Sequence, residues 1–250
     1  KLKIMRTTEA REIGNQVATL VHKGYPHEAY NLLAPTLAER TKFPMLERIG
    51  EPIGAGPIDS TNTFLELAAQ GKTEGGWVVI GAALREQLGR DMPGAFERAR
   101  EAIRAAQVWY ASDIIGERVP GRALVDCFDP ALEQLDPWRR DTCSWVRRSV
   151  GVAVHMCAKH SGKAGELQPK AVTLMDFLEP LIPDWDMDAA KGTGWGLKTL
   201  GRYYPEALTA WLVERLPEQP HIRAIVRRKA LTFLSEEQRK RVLAQGELNS

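Results

Sequence analysis

The chain carries almost no strand signal. Its one compact β-branched run, Trp77-Val78-Val79-Ile80, continues into Gly81-Ala82-Ala83-Leu84-Arg85-Glu86, which reads as helix. Elsewhere the apolar residues recur at helical spacing. Helix starts are expected at Asp129-Pro130 and Asp136-Pro137, each an N-cap followed by a proline at the first helical position. A further start is expected at the capping box Ser235-Glu236-Glu237-Gln238. Stops are expected at Pro120, Tyr204-Pro205 and Pro217, while Gly50 to Pro57 reads as a loop. Its Gly54-x-Gly56 lacks the strand and helix that a nucleotide-binding fingerprint requires. The helices implied are short, about 10 to 18 residues, and closely spaced.

Comparable helices open around Trp77, Trp109, Trp145, Trp195 and Arg228, at intervals of 32, 36, 50 and 33 residues. A loose period without strands predicts an all-α, superhelical stack of antiparallel helix pairs, as in HEAT or armadillo arrays. One helix of each pair would line a concave face. An irregular helical bundle is the competing architecture. No Pro- or Gly-rich linker divides the chain, so a single domain over residues 1–250 is expected. Residues 1–75 would supply N-terminal helices, 76–240 the clearest repeats, and 241–250 a frayed tail.

Net charge is +2, but its distribution is uneven: residues 139 to 250 hold 18 Lys and Arg against 13 Asp and Glu. Residues 191 to 241 alone hold 11 against 5. That local excess suits a polyanion and makes the expected concave face basic; the plainer alternative is a solvated, cation-rich surface. Three cysteines, Cys127, Cys143 and Cys157, fit neither a disulfide framework nor a Cys-x-x-Cys zinc site, and His155 and His160 are five apart, off a common helix face. No metal and no cofactor are expected. The absence of long apolar runs argues against a membrane span, and a reducing cytoplasm is the expected location, with the protein a monomer.

Three segments place chemistry-bearing residues away from the expected core face. In the helix around Trp109, the stripe Val108, Ala111 and Ile115 faces the core, which leaves Trp109, Asp113 and Gly116 together on another side. In the next, Val146, Val150, Ala153, Val154 and Cys157 form the core stripe and Arg148, beside Arg147, projects opposite, where an arginine forks onto phosphate or simply meets water. In the third, Leu197, Leu200 and Tyr204 face inward, while Lys191, Trp195, Lys198 and Arg202 at i, i+4, i+7 and i+11 form one stripe. Cations interleaved with an indole suit a sugar–phosphate backbone. Arg223, Arg227 and Arg228 extend the basic surface.

From about Trp77 to Leu234 the chain resembles the HEAT-like-repeat DNA alkylation repair glycosylases of the AlkD family. Trp109-Tyr110-Ala111-Ser112-Asp113 resembles the family's aromatic-to-aspartate catalytic helix, and Trp145-Val146-Arg147-Arg148 its Trp-x-x-Arg helix. Lys191-x-x-x-Trp195 with Leu197-Lys198 is similar to its Lys-x-x-Gly-Trp helix, and Arg228-Lys229-Ala230-Leu231 to its closing helix. Tyr110 stands where the family has a first acid and Ser112 where it has valine; Asp113 is retained.

The resemblance implies excision of cationic N3- or N7-alkylated purines, bulky adducts included, from double-stranded DNA without base flipping. Asp113, Trp109 and Trp195 would be catalytic; Arg147, Arg148, Lys191, Lys198, Arg202, Arg227 and Arg228 would bind DNA. A relative that binds distorted or branched DNA without catalysis is the alternative.

Overall fold

A computed structural model describes residues 5–162, 168–216 and 221–247; Pro217 lies outside them. The described residues are helical throughout, with no β-strand among them. By their internal contacts they form two compact units that divide after Val119.

The first unit contains α1 (Thr7–His22), α2 (Pro26–Ala38), α3 (Phe43–Gly54), α4 (Ile58–Gln70), α5 (Glu74–Gln87), α6 (Met92–Ala106) and α7 (Trp109–Arg118). Connections of a few residues join successive helices. The odd helices pack in the order α1, α3, α5, α7, and α2, α4 and α6 make a second layer behind them. This is the stacked-pair arrangement.

The β-branched run sits in α5, where Trp77, Val78, Val79, Ile80, Ala82, Ala83 and Leu84 are all buried. A helix apolar all round belongs in the middle of a core, and α5 is packed by α2, α3, α4, α6 and α7. Burial on every side thus accounts for a composition that locally resembles a strand.

The expected loop at Gly50 to Pro57 is corrected, because α3 continues to Gly54 with Pro52 inside it. A Cβ on Gly50 would lie 2.6 Å from the Val79 carbonyl oxygen, so these glycines mark the close approach of α3 to α5 rather than a turn.

The second unit contains α8 (Pro120–Asp126), α9 (Phe128–Leu135), α10 (Ser144–Ser161), α11 (Gln168–Leu178), α12 (Met187–Tyr203), α13 (Pro205–Arg215), α14 (Ala224–Ala230) and α15 (Glu236–Glu247), with short 3-10 turns between several of them. Again two layers form: α8, α10, α12 and α14 pack in sequence, and α11, α13 and α15 pack in sequence behind them. The helices opening near Trp145, Trp195 and Arg228 all lie in the first of these layers.

Several expected boundaries shift. The stop at Pro120 holds, α7 ending at Arg118, and the same proline also opens α8; α9 starts at Phe128, so Asp129-Pro130 falls within its first turn, where a missing N–H costs nothing. Asp136-Pro137 opens a 3-10 turn, Asp136–Arg140. The capping box is formed, with Gln238 N donating to Ser235 Oγ at 3.2 Å and Ser235 N to Gln238 Oε1 at 2.8 Å. The segment expected to fray is helical through Glu247, anchored by the fully buried Val242.

Candidate nucleic-acid interface

In the first unit α7 follows a left-handed residue, Gln107 at φ 51°, which ends α6 and turns the chain sharply. Ala111, Ser112, Ile114, Ile115 and Gly116 are buried on the side toward α5 and α6. Gly116 therefore belongs to the packed side, not to the face of Trp109 and Asp113 as its spacing suggested. At the C-terminal end Arg118 pairs with Glu47 at 2.5 Å, donates to the Ile114 carbonyl at 3.0 Å and lies over the Phe43 ring at 5.6 Å. These contacts fix the rotation of α7 and so the direction of its other face. There Trp109 is 55% exposed, standing edge-on to Tyr110 at 5.7 Å, and Asp113, one turn on, is half-buried. An indole and a carboxylate thus share one side of a pinned helix.

In the second unit α12 has each side assigned. Ala189, Ala190, Thr193, Leu197 and Leu200 are buried. Gly192 and Gly196 lie against α10, where a Cβ on Gly192 would overlap the Arg148 carbonyl and one on Gly196 would come within 3.0 Å of the Gly151 carbonyl. Gly194 lies against Val226 and Lys229 of α14. What remains is the stripe read from the sequence: Lys191 and Arg202 are exposed, Trp195 and Lys198 half-exposed. Lys198 and Arg202 each sit 5.4 Å from the Phe233 ring, and Lys191 pairs with Asp188 at 3.5 Å. Arg227 and Arg228 are exposed on neighbouring α14.

The two arginines of α10 are placed differently from their expectation. Arg147 makes a two-pronged ion pair with Asp184, at 2.5 and 3.2 Å, and also donates to the Asp141 carbonyl at 2.7 Å. The hydrogen bond to Asp184 pushes its pKa still higher, so it stays charged and committed to that partner. Arg148 is only 7% exposed and donates to the Asp188 carbonyl at 3.4 Å, which ties α10 to the start of α12. Neither stands on a free surface as a phosphate fork would.

A residue that spacing did not single out sits beside Trp195. The His155 ring stacks on the indole with centroids 4.1 Å apart and planes 24° apart. Thr199 Oγ1 donates to the Trp195 carbonyl at 3.1 Å and accepts from His155 Nδ1 at 2.7 Å, so the imidazole carries its proton on Nδ1. Burial pushes the His155 pKa down to about 4, and Lys159 and Lys198 add to the effect. The indole is thereby backed by a neutral ring. Sequence alone offers no signal for this pair, which exists only because α10 and α12 pack together.

Between pH 6.5 and about 4 the unfolded chain binds a proton that the folded His155 does not. The contribution of this residue to stability is therefore full above 6.5 and declines as pH falls through that window. Melting midpoints of a His155→Phe variant, which keeps a stacking ring, should fall less steeply than those of wild type over this range; parallel slopes would remove His155 as the cause.

Among the described residues no group of three His, Cys, Asp or Glu side chains could hold a metal ion, and no helix is long and apolar enough to cross a membrane.

No curated protein matches the chain. Among solved structures it is similar to the alkylpurine DNA glycosylase AlkC of Pseudomonas fluorescens bound to DNA containing an abasic site analog. The TM-score is 0.62 at 18% identity over 94% of this chain, which spans 66% of the length of that one. At that identity the likeness speaks for the helical fold. The family model for the DNA alkylation repair enzyme matches residues 55–234, ending where the resemblance read from the motifs ends and beginning 22 residues before Trp77. The chain belongs to the DNA alkylation repair enzyme family.

Proposed function

We propose that this protein is a DNA glycosylase that hydrolyses the N-glycosidic bond of cationic N3- or N7-alkylated purines in double-stranded DNA. The observation that carries this reading is the Lys191–Trp195–Lys198–Arg202 stripe of α12, exposed at its two ends and half-exposed between them, in a chain of this family that also presents Trp109 and Asp113 together on α7. An alkylated purine is already a cation and leaves without being protonated. The C1′–N bond breaks with its electron pair going to the base, which departs neutral, and the sugar becomes oxocarbenium-like. Water adds to C1′ and loses its proton.

One carboxylate suffices for that sequence: Asp113 stabilises the developing positive charge and positions or deprotonates the water. On α7 the Trp109 indole, one turn from Asp113, packs on sugar, excludes bulk water and adds about 0.5 to 2 kcal/mol of cation–π attraction; on α12 the Trp195 indole packs on sugar within its own stripe of cations. Lys191, Lys198 and Arg202, with Arg227 and Arg228, hold phosphates; Arg147 and Arg148 keep the structural tasks described above. In this reading the base stays in the duplex, so that bulky adducts are accepted alongside methyl groups.

Incubation of methylated duplex with the protein should release 3-methyladenine or 7-methylguanine and leave abasic sites. If neither appears and a bulky N3 adduct is also untouched while duplex is still bound, the protein is a binder of distorted DNA and not an enzyme.

A Lys198→Ala change should weaken duplex binding and lower the slope of log affinity against log salt by about 0.9, one phosphate's worth. An unaltered slope takes Lys198 off the contact surface.

A further inference from the structure

Trp185 is the most exposed large apolar side chain among the described residues, at 72%, yet the loop that carries it is held on every side. Asp184, one residue before, is gripped by Arg147, and its Oδ1 accepts from Asp186 N at 2.9 Å. Asp186, one residue after, caps α12 by accepting from Asp188 N at 2.8 Å and Ala189 N at 3.3 Å. The Trp185 carbonyl accepts from Arg223, whose guanidinium also lies 5.5 Å from the indole, and the His221 ring is 6.3 Å away. A large indole held in water on a rigid loop makes a low-entropy contact when a partner arrives.

The surrounding charge selects the partner. The three acids around it are occupied: Asp184 by Arg147, Asp186 by the helix cap, and Asp188, in the first turn of α12, by Lys191. On the other side Arg223 lies by the indole, and Arg227, one turn on, is exposed. α14 runs alongside α12 in register, with Arg223 at Trp185 and Lys229 Nζ donating to the Lys191 carbonyl at 2.9 Å. Trp185 therefore lies just before the N-terminal end of the helix that carries Lys191, Trp195, Lys198 and Arg202. At about 1.5 Å per residue, the helix axis from Asp186 to Arg202 covers about 24 Å, the length of roughly seven base pairs. A ligand meeting both ends is long, anionic and rich in flat rings.

We propose that Trp185, with Arg223, is a second DNA contact several base pairs away from Trp195, the indole packing on a deoxyribose or an unstacked base and the guanidinium on an adjacent phosphate. The inference rests on the DNA-binding part of the proposed function and not on its catalytic part. It gives the surface two aromatic anchors instead of one, so that the protein grips duplex on one side of the position addressed by Trp195.

The test uses the full chain and a fluorescein-labelled, undamaged duplex of about 20 base pairs, with affinity followed against salt. Stacking contacts to nucleic acid are worth enough that Trp185→Ala should weaken binding about tenfold, with Trp185→Phe recovering most of the loss. The salt slope of Trp185→Ala should equal that of wild type, because an indole releases no counterion, whereas Arg223→Gln should lower it by about 0.9. Trp185→Ala should melt as wild type does.

Wild-type affinity in Trp185→Ala, alongside weakened Lys198→Ala, overturns the inference and leaves the proposed function standing. Weakened binding that comes with a lowered melting midpoint, or that Phe does not recover, also overturns it. A wild-type protein that binds no duplex overturns both. Tenfold weakening in a protein that releases no alkylated base supports the second contact and defeats only the catalytic reading.

Discussion

Asp113→Asn is expected to lower release of alkylated purines from methylated duplex at least about a hundredfold, with duplex affinity unchanged or slightly tighter. The substitution keeps the size and shape of the side chain on α7 and removes only its charge. An amide cannot stabilise an oxocarbenium-like sugar as a carboxylate does, nor take a proton from water. Binding is spared because the carboxylate opposes a polyanion and because the cations assigned to phosphates lie on other helices, α12 and α14. Single-turnover release of base, measured with enzyme in excess, separates the chemical step from binding. A variant keeping more than about a tenth of the wild-type rate means that Asp113 is not the group at the reacting carbon. Equal loss of affinity and rate points to a folding or docking defect, which the melting curve of the variant distinguishes.

The largest effect on stability is expected at the crossing of α10 and α12. A Cβ on Gly192 would lie 2.9 Å from Arg148 Cα and closer still to its carbonyl, and one on Gly151 would lie 2.5 Å from Thr193 N. The atoms in the way are backbone on both sides, so no side chain can rotate aside and the helices must separate. Separation loosens Val150, Val154, Leu197 and Leu200, all fully buried, and disturbs the His155–Trp195 stack.

Gly192→Ala should therefore destabilise by about 2 to 3 kcal/mol, against the gain of up to 1 kcal/mol that alanine brings to an exposed helix position. This is expected as a fall of several degrees in the melting midpoint. Gly89, where an added Cβ meets nothing within 4 Å, is the matched control, and Gly89→Ala should melt within a degree or so of wild type. Equal midpoints for Gly192→Ala and wild type would show that the crossing has slack.

Much of the fold was open to reading from residues alone because helices announce themselves locally. Apolar spacing, Tyr204-Pro205 and the Ser235 to Gln238 capping box act within a turn or two of the chain, and the structure keeps them. The same locality explains the misreadings. Gly50 and Gly54 carry the composition of a loop, and only the approach of α5 shows that they are contact glycines within a helix. Pro120 reads only as a stop, which it is for α7, and that it also opens α8 shows only in the structure.

The stripe Lys191, Trp195, Lys198 and Arg202 was determined by the sequence, since 3.6-residue periodicity alone sets four side chains on one side of a helix. The shared side of Trp109 and Asp113 is likewise a matter of their four-residue spacing. What only the tertiary structure decided is which cations on such faces already have partners. Arg147 and Arg148 look like surface arginines until Asp184 and the Asp188 carbonyl are brought to them from 37 and 40 residues away. His155 and Trp195 become a stack, and Trp185 an indole held in water, by contacts of the same long range. Periodicity is a property of one helix, whereas partnership depends on which helices the core places side by side.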